Sequence, residues 1–132
     1  MRAVDTNVLV RLLARDEPSQ VTAAEAFVQP GAWISHLVLM EAVWVLDSVY
    51  GVTPEQIANG VEMLLDHDQM AVQDADVVKA AVSQYRKHPK LGFSDCLILE
   101  VARDAGHVPL GTFDRGLGKL NGAQRQIGRA HV

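Results

Sequence analysis

The stretch AVDTNVLVRLL, residues 3–13, puts an aspartate between a short apolar strand and an apolar helix. We predict that Ala3 and Val4 begin the strand and that the helix covers Asn7 to Leu13. Asp114 follows a second apolar segment, Val108 to Gly111, which we also predict to be a strand. In α/β folds, ligand sites lie beyond the carboxyl ends of parallel strands. Asp5 and Asp114 therefore stand where such a fold places its chemistry.

The rest of the chain continues this alternation of strands and helices without a repeat, a low-complexity tract or a linker. The alternation predicts an α/β fold in which helices cover both faces of a mainly parallel sheet. We expect residues 1–132 to form a single domain. The further predicted helices are Pro18 to Phe27, Leu37 to Val49, one that starts with a capping box at Thr53, Asp74 to Tyr85, and Ser94 to Asp104; the further predicted strands are Trp33–Ile34 and Met70–Val72.

Composition limits the class of protein. A hydrophobic share of 48% in 132 residues is enough for a core without disulfides, and the lone Cys96 is expected to be a core residue. No segment is apolar enough to cross a membrane, and the N-terminus does not resemble a signal peptide, so we expect a cytoplasmic protein. The formal charge of −4 opposes binding to nucleic acid through bulk electrostatics, unless cations neutralise clustered carboxylates.

Glu41 is the most informative acid because its neighbours at helical spacing are apolar. These neighbours are Leu37, Val38, Trp44 and Val45. The pattern predicts a carboxylate in apolar surroundings, which is costly unless the group is paired, protonated or bound to a metal. A structural ion pair with an arginine remains the alternative.

The other three acids each have a simpler explanation when taken singly. Asp95 shares a helix face with Ile98 and Leu99, but an acid in the first turn is also favoured by the helix dipole. Asp5 could cap the next helix, and Asp114 could belong to a turn. Taken together, four acids at strand ends and on apolar helix faces favour a hard divalent cation, Mg²⁺ or Mn²⁺. The histidines show no zinc-ligand spacing and are expected on the surface or in loops: His36, His67, His88, His107 and His131.

At these acids the sequence resembles the PIN-domain ribonucleases, specifically the VapC toxins of VapBC toxin–antitoxin pairs. The segment 4–11, VDTNVLVR, resembles the family's opening motif, and Glu41 with the following VWVL, residues 43–46, resembles its second. The segments 93–98, FSDCLI, and 112–115, TFDR, resemble the third and fourth motifs. Ser94 stands where an alanine is common. The four motifs occur in order and span nearly the whole chain.

The resemblance implies a three-layer α/β/α fold in which Asp5, Glu41, Asp95 and Asp114 hold one or two Mg²⁺ or Mn²⁺ ions. It implies hydrolysis of RNA phosphodiester bonds by a metal-activated water, with supporting roles for Thr6, Asn7 and Thr112. It also implies a homodimer and a cognate antitoxin protein as partners. Basic side chains that flank the acids are candidate contacts to RNA, although each could be an ordinary solvated charge: Arg11, Arg86, Lys87, Lys90, Arg115 and Lys119.

Other functions fit the residues less well. A haloacid-dehalogenase-like phosphatase needs a second aspartate where this chain has Asn7. A phosphoacceptor receiver domain should have an acidic pair early in the chain and a lysine after a late strand. Two alternatives stay open, namely a non-catalytic PIN-like module that binds RNA or a partner and a nuclease directed at DNA.

Overall fold

A computed structural model describes residues 1–128, which contain six α-helices and five short strands. The strands are β1 (Arg2–Ala3), β2 (Ala32–Ile34), β3 (Met70–Val72), β4 (Leu110–Thr112) and β5 (Ala123–Arg125). The helices are α1 (Thr6–Ala14), α2 (Pro18–Val28), α3 (His36–Ser48), α4 (Pro54–Asp66), α5 (Ala75–Lys87) and α6 (Phe93–Asp104). Two 3₁₀ turns cover Pro89–Leu91 and Leu117–Lys119.

Every strand pair in residues 1–128 is parallel. One sheet has the order β1-β2-β3, and β4 pairs with β5 in a second, two-stranded sheet. Helices connect the parallel strands of the first sheet, since each parallel pair requires a crossover. The prediction of an α/β fold with mainly parallel strands is confirmed, and the arrangement is consistent with a three-layer α/β/α fold.

Local sequence explains where the helices start. The side chains of Asp5 and Ser35 each accept a hydrogen bond from a backbone N–H three residues later, at 3.1 Å. Thr53 and Gln56 form the predicted capping box, which satisfies two N–H groups that the first turn of α4 leaves without a partner. The N-cap residues Asp5, Ser35 and Thr53 therefore set the beginnings of α1, α3 and α4.

The main core lies between the three-stranded sheet and the helices of residues 1–97. It is built from aliphatic side chains that the helical and strand periodicities direct inwards, and its largest members include Leu9, Ile34, Leu39, Val61, Val78, Phe93 and Leu97. Cys96 belongs to this core, as predicted, and burial raises the pKa of its thiol to about 11. None of the helices in residues 1–128 is long and apolar enough to cross a membrane.

A second, smaller core supports the C-terminal elements. Its buried members are Leu99 of α6 together with Leu117 and Leu120, and Leu91, Leu110 and Ala123 pack against them. This core joins α6 to the two-stranded sheet and to the 3₁₀ turn at Leu117–Lys119. It forms a separate cluster of buried side chains beside the main one.

Several predicted boundaries are wrong by a few residues. The segment Arg86 to Lys90 is not a simple loop, because α5 continues to Lys87 and a 3₁₀ turn begins at Pro89. The strand predicted for Val108 to Gly111 occupies Leu110–Thr112 instead. Strand β5 was not predicted, because its sequence Ala-Gln-Arg lacks an apolar pattern. His131 lies outside the described residues.

Candidate active site

Asp95 and Asp114 are the two predicted site acids that the structure brings into electrostatic contact. Asp95 lies in the first turn of α6 and is partly buried, and Asp114 follows β4 by two residues. Burial raises the pKa of the Asp95 carboxyl, and the neighbouring Asp114 carboxylate raises it further. The two carboxylates repel each other, and Asp95 is partly desolvated. A cation bound between them would reduce this repulsion.

Asp114 is held by backbone contacts on both sides. The Asp114 N–H donates to the hydroxyl of Thr112 at 3.0 Å, and Asp114 Oδ1 accepts the N–H of Leu117 at 2.7 Å. The Thr112 hydroxyl therefore contacts the Asp114 backbone, and the simpler explanation for Asp114, a turn residue, is correct; a supporting role for Thr112 in the site stays a prediction. The hydrogen bonds within residues 1–128 use only Oδ1 of this carboxylate, so Oδ2 remains available to a ligand.

Asp5 caps α1 and also borders a groove. Its Oδ1 accepts the N–H of Val8, so the simpler explanation for this acid, a helix cap, is correct. The same carboxylate lines an open groove of about 450 Å³ between α1 and α2, together with Asn7 and Arg11. Thr6, the first residue of α1, stands between Asp5 and Asn7 in the sequence. A capping role does not exclude a ligand, because Oδ2 makes no hydrogen bond within the described residues.

Glu41 corrects one expectation from the sequence. Its apolar neighbours Leu37 and Trp44 are 79% and 62% exposed, and Glu41 itself is exposed. The buried stripe of α3 lies on the other side of the helix, at Leu39, Ala42, Val43 and Leu46. Helix α3 is apolar nearly all round, so sequence periodicity alone could not tell which side faces the core. Glu41 thus stands on an exposed apolar surface, and no arginine of residues 1–128 forms an ion pair with it.

The topology places Asp5 and the start of α3 at one edge of the three-stranded sheet. Helices α1 and α3 start directly after the neighbouring parallel strands β1 and β2, so Asp5 and the N-terminal half of α3 lie at the carboxyl ends of those strands. Helix α3 packs against both α1 and α6, and α6 begins near Asp95. As positioned, however, no three histidine, cysteine or acidic side chains of residues 1–128 lie close enough together to hold one ion. Convergence of all four acids on a single ion stays a prediction.

The donor chemistry at this edge suits a hard cation. Only carboxylate, hydroxyl and amide oxygens are offered by Asp5, Asn7, Asp95, Thr112 and Asp114, and Mg²⁺ and Mn²⁺ prefer oxygen ligands. Asp95 and Asp114 interact electrostatically, and each presents at least one carboxylate oxygen without a hydrogen bond among the described residues. The chemistry of these two residues fits a divalent ion, and the predicted further ligands, Asp5 and Glu41, stand next to α1 and on α3.

The basic residues predicted to contact RNA fall into two groups. The guanidinium of Arg11 bonds to Gln20, to Asp16 at 3.3 Å and to the Tyr50 hydroxyl at 2.9 Å. Arg86 is likewise engaged, by Glu62 at 3.0 Å and by Asn59 at 2.8 Å.

The second group remains accessible at the surface. Lys87, Lys90, Arg115 and Lys119 are exposed. Lys90 precedes Asp95, whereas Arg115 and Lys119 follow Asp114, so these three flank the acid pair. Unlike Arg11 and Arg86, these three side chains form no ion pair within the described residues.

The histidines carry little of the site chemistry. His67, His88 and His107 are exposed, and His36 is partly buried, with Nε2 2.7 Å from the carbonyl oxygen of Gln73. The backbone N–H of His36 also donates to the Gln73 side chain at 2.9 Å. His36 therefore joins the start of α3 to the end of β3.

Sequence reasoning missed one buried charged residue, Glu100. This glutamate is only 7% exposed and accepts a hydrogen bond from Arg103. The signal was present in the sequence, because Cys96 and Leu97 stand one turn before Glu100 on the side of α6 that faces the core. The spacing of Glu100 and Arg103 also permits a pair within one helix turn.

Comparison with known families gives one match. The PIN domain profile matches residues 2–123, which include all four acids. Comparisons with curated proteins and with solved structures return no match. The PIN domain is a nuclease-type fold whose members commonly depend on divalent metal ions. With the matched segment covering more than half of the sequence, the chain belongs to the PIN domain family.

Proposed function

We propose that this chain is a Mg²⁺- or Mn²⁺-dependent endoribonuclease that acts as the toxin of a toxin–antitoxin pair. The observation that carries the proposal is the electrostatic interaction between the partly buried Asp95 and Asp114 in a chain of the PIN family. A divalent ion would stabilise the charged form of the partly buried Asp95 carboxyl, whose pKa is raised by burial and by the neighbouring Asp114. This arrangement is a property of a metal site rather than of a surface that merely binds a partner.

The chain's own residues would divide the work at this site. Asp95 and Asp114 would hold the ion, and Asp5 and Glu41 would complete its ligands or orient its waters. A bound Mg²⁺ or Mn²⁺ supplies an acidified water and neutralises charge on the phosphoryl oxygens. Thr112 keeps the Asp114 backbone in place through its hydroxyl.

The substrate would be positioned by charges outside the acid pair. Lys90, Arg115 and Lys119 would contact the RNA backbone and offset the formal charge of −4 on the chain. Phosphate contacts of this kind fix the register of a nucleic acid without reading its sequence. The positive groups on both sides of the acids would therefore bring a phosphodiester to the ion.

Exposed apolar side chains support the proposal of protein partners. Leu37 and Trp44 project from α3, and Phe113, which precedes Asp114, is 76% exposed. Large apolar side chains near a site are typical of surfaces that another protein covers. A second copy of the chain would bury the outer face of α3, and an antitoxin would cover the acids and block the site. Toxin, antitoxin and cellular RNA would meet in the cytoplasm.

Cleavage of total cellular RNA by the purified protein tests the activity. We expect discrete new RNA ends in the presence of Mn²⁺, none after a chelator is added, and none with Asp5→Asn. This variant is a matched control because asparagine caps a helix about as well as aspartate, so α1 should be preserved while the charge is lost. Cleavage retained by a folded Asp5→Asn protein would contradict a role for this acid. Cleavage of DNA alone would redirect the proposal to a deoxyribonuclease, and no cleavage of either would favour a binding module.

A further inference from the structure

Glu100 and Arg103 link α6 to the chain that follows β4. Arg103 Nε donates to the buried carboxylate of Glu100 at 3.2 Å, and Arg103 Nη2 donates to the carbonyl oxygen of Asn121. One guanidinium therefore bonds to its own helix and to the turn that precedes β5. Glu100 is the one charged residue among residues 1–128 that is buried.

Gly122 shows how closely that turn approaches Arg103. A Cβ atom at this position would lie 2.9 Å from both terminal nitrogens of the guanidinium, and the backbone φ is +91°. The positive φ favours glycine, and a Cβ at this position would displace the Arg103 guanidinium. The Gly122 carbonyl oxygen accepts the N–H of Leu110 at 2.8 Å, which is the first bond between β4 and β5.

From this turn a short chain of contacts leads to Asp114. Strand β5 holds the far end of β4 as well, since the N–H of Gln126 donates to the Thr112 carbonyl oxygen at 2.6 Å. The Thr112 hydroxyl then accepts the Asp114 N–H, and Leu117 of the small core donates to Asp114 Oδ1. Movement of the turn at Asn121–Gly122 would therefore move the backbone that carries Asp114.

We propose that Glu100 and Arg103 are positioning residues for the candidate metal site. They hold the Asn121–Gly122 turn against α6 and so fix Asp114 opposite Asp95, which stands on the same helix. The proposal rests on the proposed function, because it assigns the geometry that the pair maintains to cation binding. The role of this pair is to position the turn rather than to stabilise the fold, since desolvation of Glu100 offsets much of the attraction between the two charges.

The test removes both charges together, so that no buried charge is left alone. In the double variant Glu100→Leu/Arg103→Met, apolar side chains fill the same space and the tie to Asn121 is lost. The matched control is Glu25→Leu/Arg15→Met, which removes an exposed ion pair of 3.3 Å between α2 and the end of α1. Two properties are measured in the full chain, namely the Mn²⁺ dissociation constant by calorimetry and hydrogen exchange of the Leu117 amide.

We expect the Glu100/Arg103 variant to bind Mn²⁺ about tenfold more weakly, as is typical when residues that orient metal ligands are replaced. The Leu117 amide should exchange faster, because its acceptor on Asp114 is less well held, and the control should match the wild type in both measurements. Wild-type affinity and wild-type exchange in a folded Glu100/Arg103 variant would overturn the proposal. If that variant does not fold, Arg103→Lys keeps the charge but loses the two-sided contact and should show the same changes to a smaller extent.

The two measurements separate this proposal from the proposed function. A wild-type protein that binds no Mn²⁺ would contradict the metal site, and the exchange of the Leu117 amide would then decide alone. Faster exchange in the Glu100/Arg103 variant would still show that Arg103 orders the Asp114 backbone. Unchanged exchange would overturn the positioning role.

Discussion

The two cores of this molecule differ in size and in what they hold. The main core joins a three-stranded sheet to helices over residues 1–97, whereas the small core around Leu99, Leu117 and Leu120 supports two short strands. Asp5 and Glu41 stand on the large unit, and Asp114 stands on the small one. Asp95 lies in the first turn of α6, a helix that contributes to both. The candidate site therefore lies where a robust unit meets a weakly supported one.

The largest effect is expected in the main core. Ile34 lies on the central strand β2 and is fully buried, so Ile34→Ala should lower the free energy of unfolding by about 2–5 kcal/mol, through lost burial and a residual cavity. Urea denaturation followed by circular dichroism measures this. The whole protein should unfold at lower urea concentration in a single transition. A loss below about 1 kcal/mol would contradict the claim that burial of Ile34 in the main core stabilises the fold strongly.

A smaller loss is expected in the small core. Leu117→Ala should cost about 2 kcal/mol, the low end of the range for leucine, because the surrounding C-terminal chain can collapse into the space. Leu117→Ala should also slow RNA cleavage more than Ile34→Ala does when both proteins are folded, since Leu117 donates its N–H to Asp114. Urea denaturation and cleavage rates of the same preparation provide the comparison. If both variants are folded and their cleavage rates fall equally, the result would contradict the claim that the small core supports Asp114.

A helix cap far from the acids should affect stability alone. Thr53→Ala removes the capping-box hydroxyl at the start of α4 and should cost about 1 kcal/mol. Metal-dependent cleavage should remain at the wild-type rate below the melting temperature. Thermal denaturation and a cleavage assay test the two parts separately. A fall in cleavage by the folded variant would show that α4 contributes to the site.

The smallest stability effect should have the opposite sign. Burial and Asp114 raise the pKa of Asp95, so the folded protein holds this proton more tightly than the unfolded chain does. Stability is therefore lost as pH rises through the folded-state pKa, and Asp95→Asn removes that loss. Without metal, we expect Asp95→Asn to melt slightly higher near neutral pH, and the gain should disappear below about pH 4, the ordinary range of aspartate. A lower melting temperature across the whole pH range would contradict the strained acid pair.

The sequence predicted much of the large unit because its signals are local. The capping box at Thr53, the start of α2 at Pro18 and strand β3 agree with the structure, since each depends on a few adjacent residues. The side of α3 that is buried could not be predicted in this way. Apolar residues lie on nearly all sides of that helix, and its packing against α1, α4 and α6 selects Leu39 and Leu46 for the interior.

The small unit was predicted less well because its order depends on distant contacts. Strand β5 has almost no apolar pattern and is held by pairing with β4 and by the bond from Arg103 to Asn121. Asp114 was identified from its place after an apolar strand, but its contact with Asp95 comes from tertiary structure. The acids of the site were therefore visible in the sequence, whereas the framework that brings two of them together was not.

Binding of Mn²⁺ measured by isothermal titration calorimetry tests the central claim most directly. We predict that the wild type binds the ion and that Asp95→Asn and Asp114→Asn each weaken binding strongly while the proteins stay folded. Glu25→Gln, on the exposed ion pair with Arg15, should bind like the wild type. Equal Mn²⁺ affinity in the wild type and in folded Asp95→Asn and Asp114→Asn proteins, or no binding by the wild type, would contradict the claim that the two units meet at a metal site.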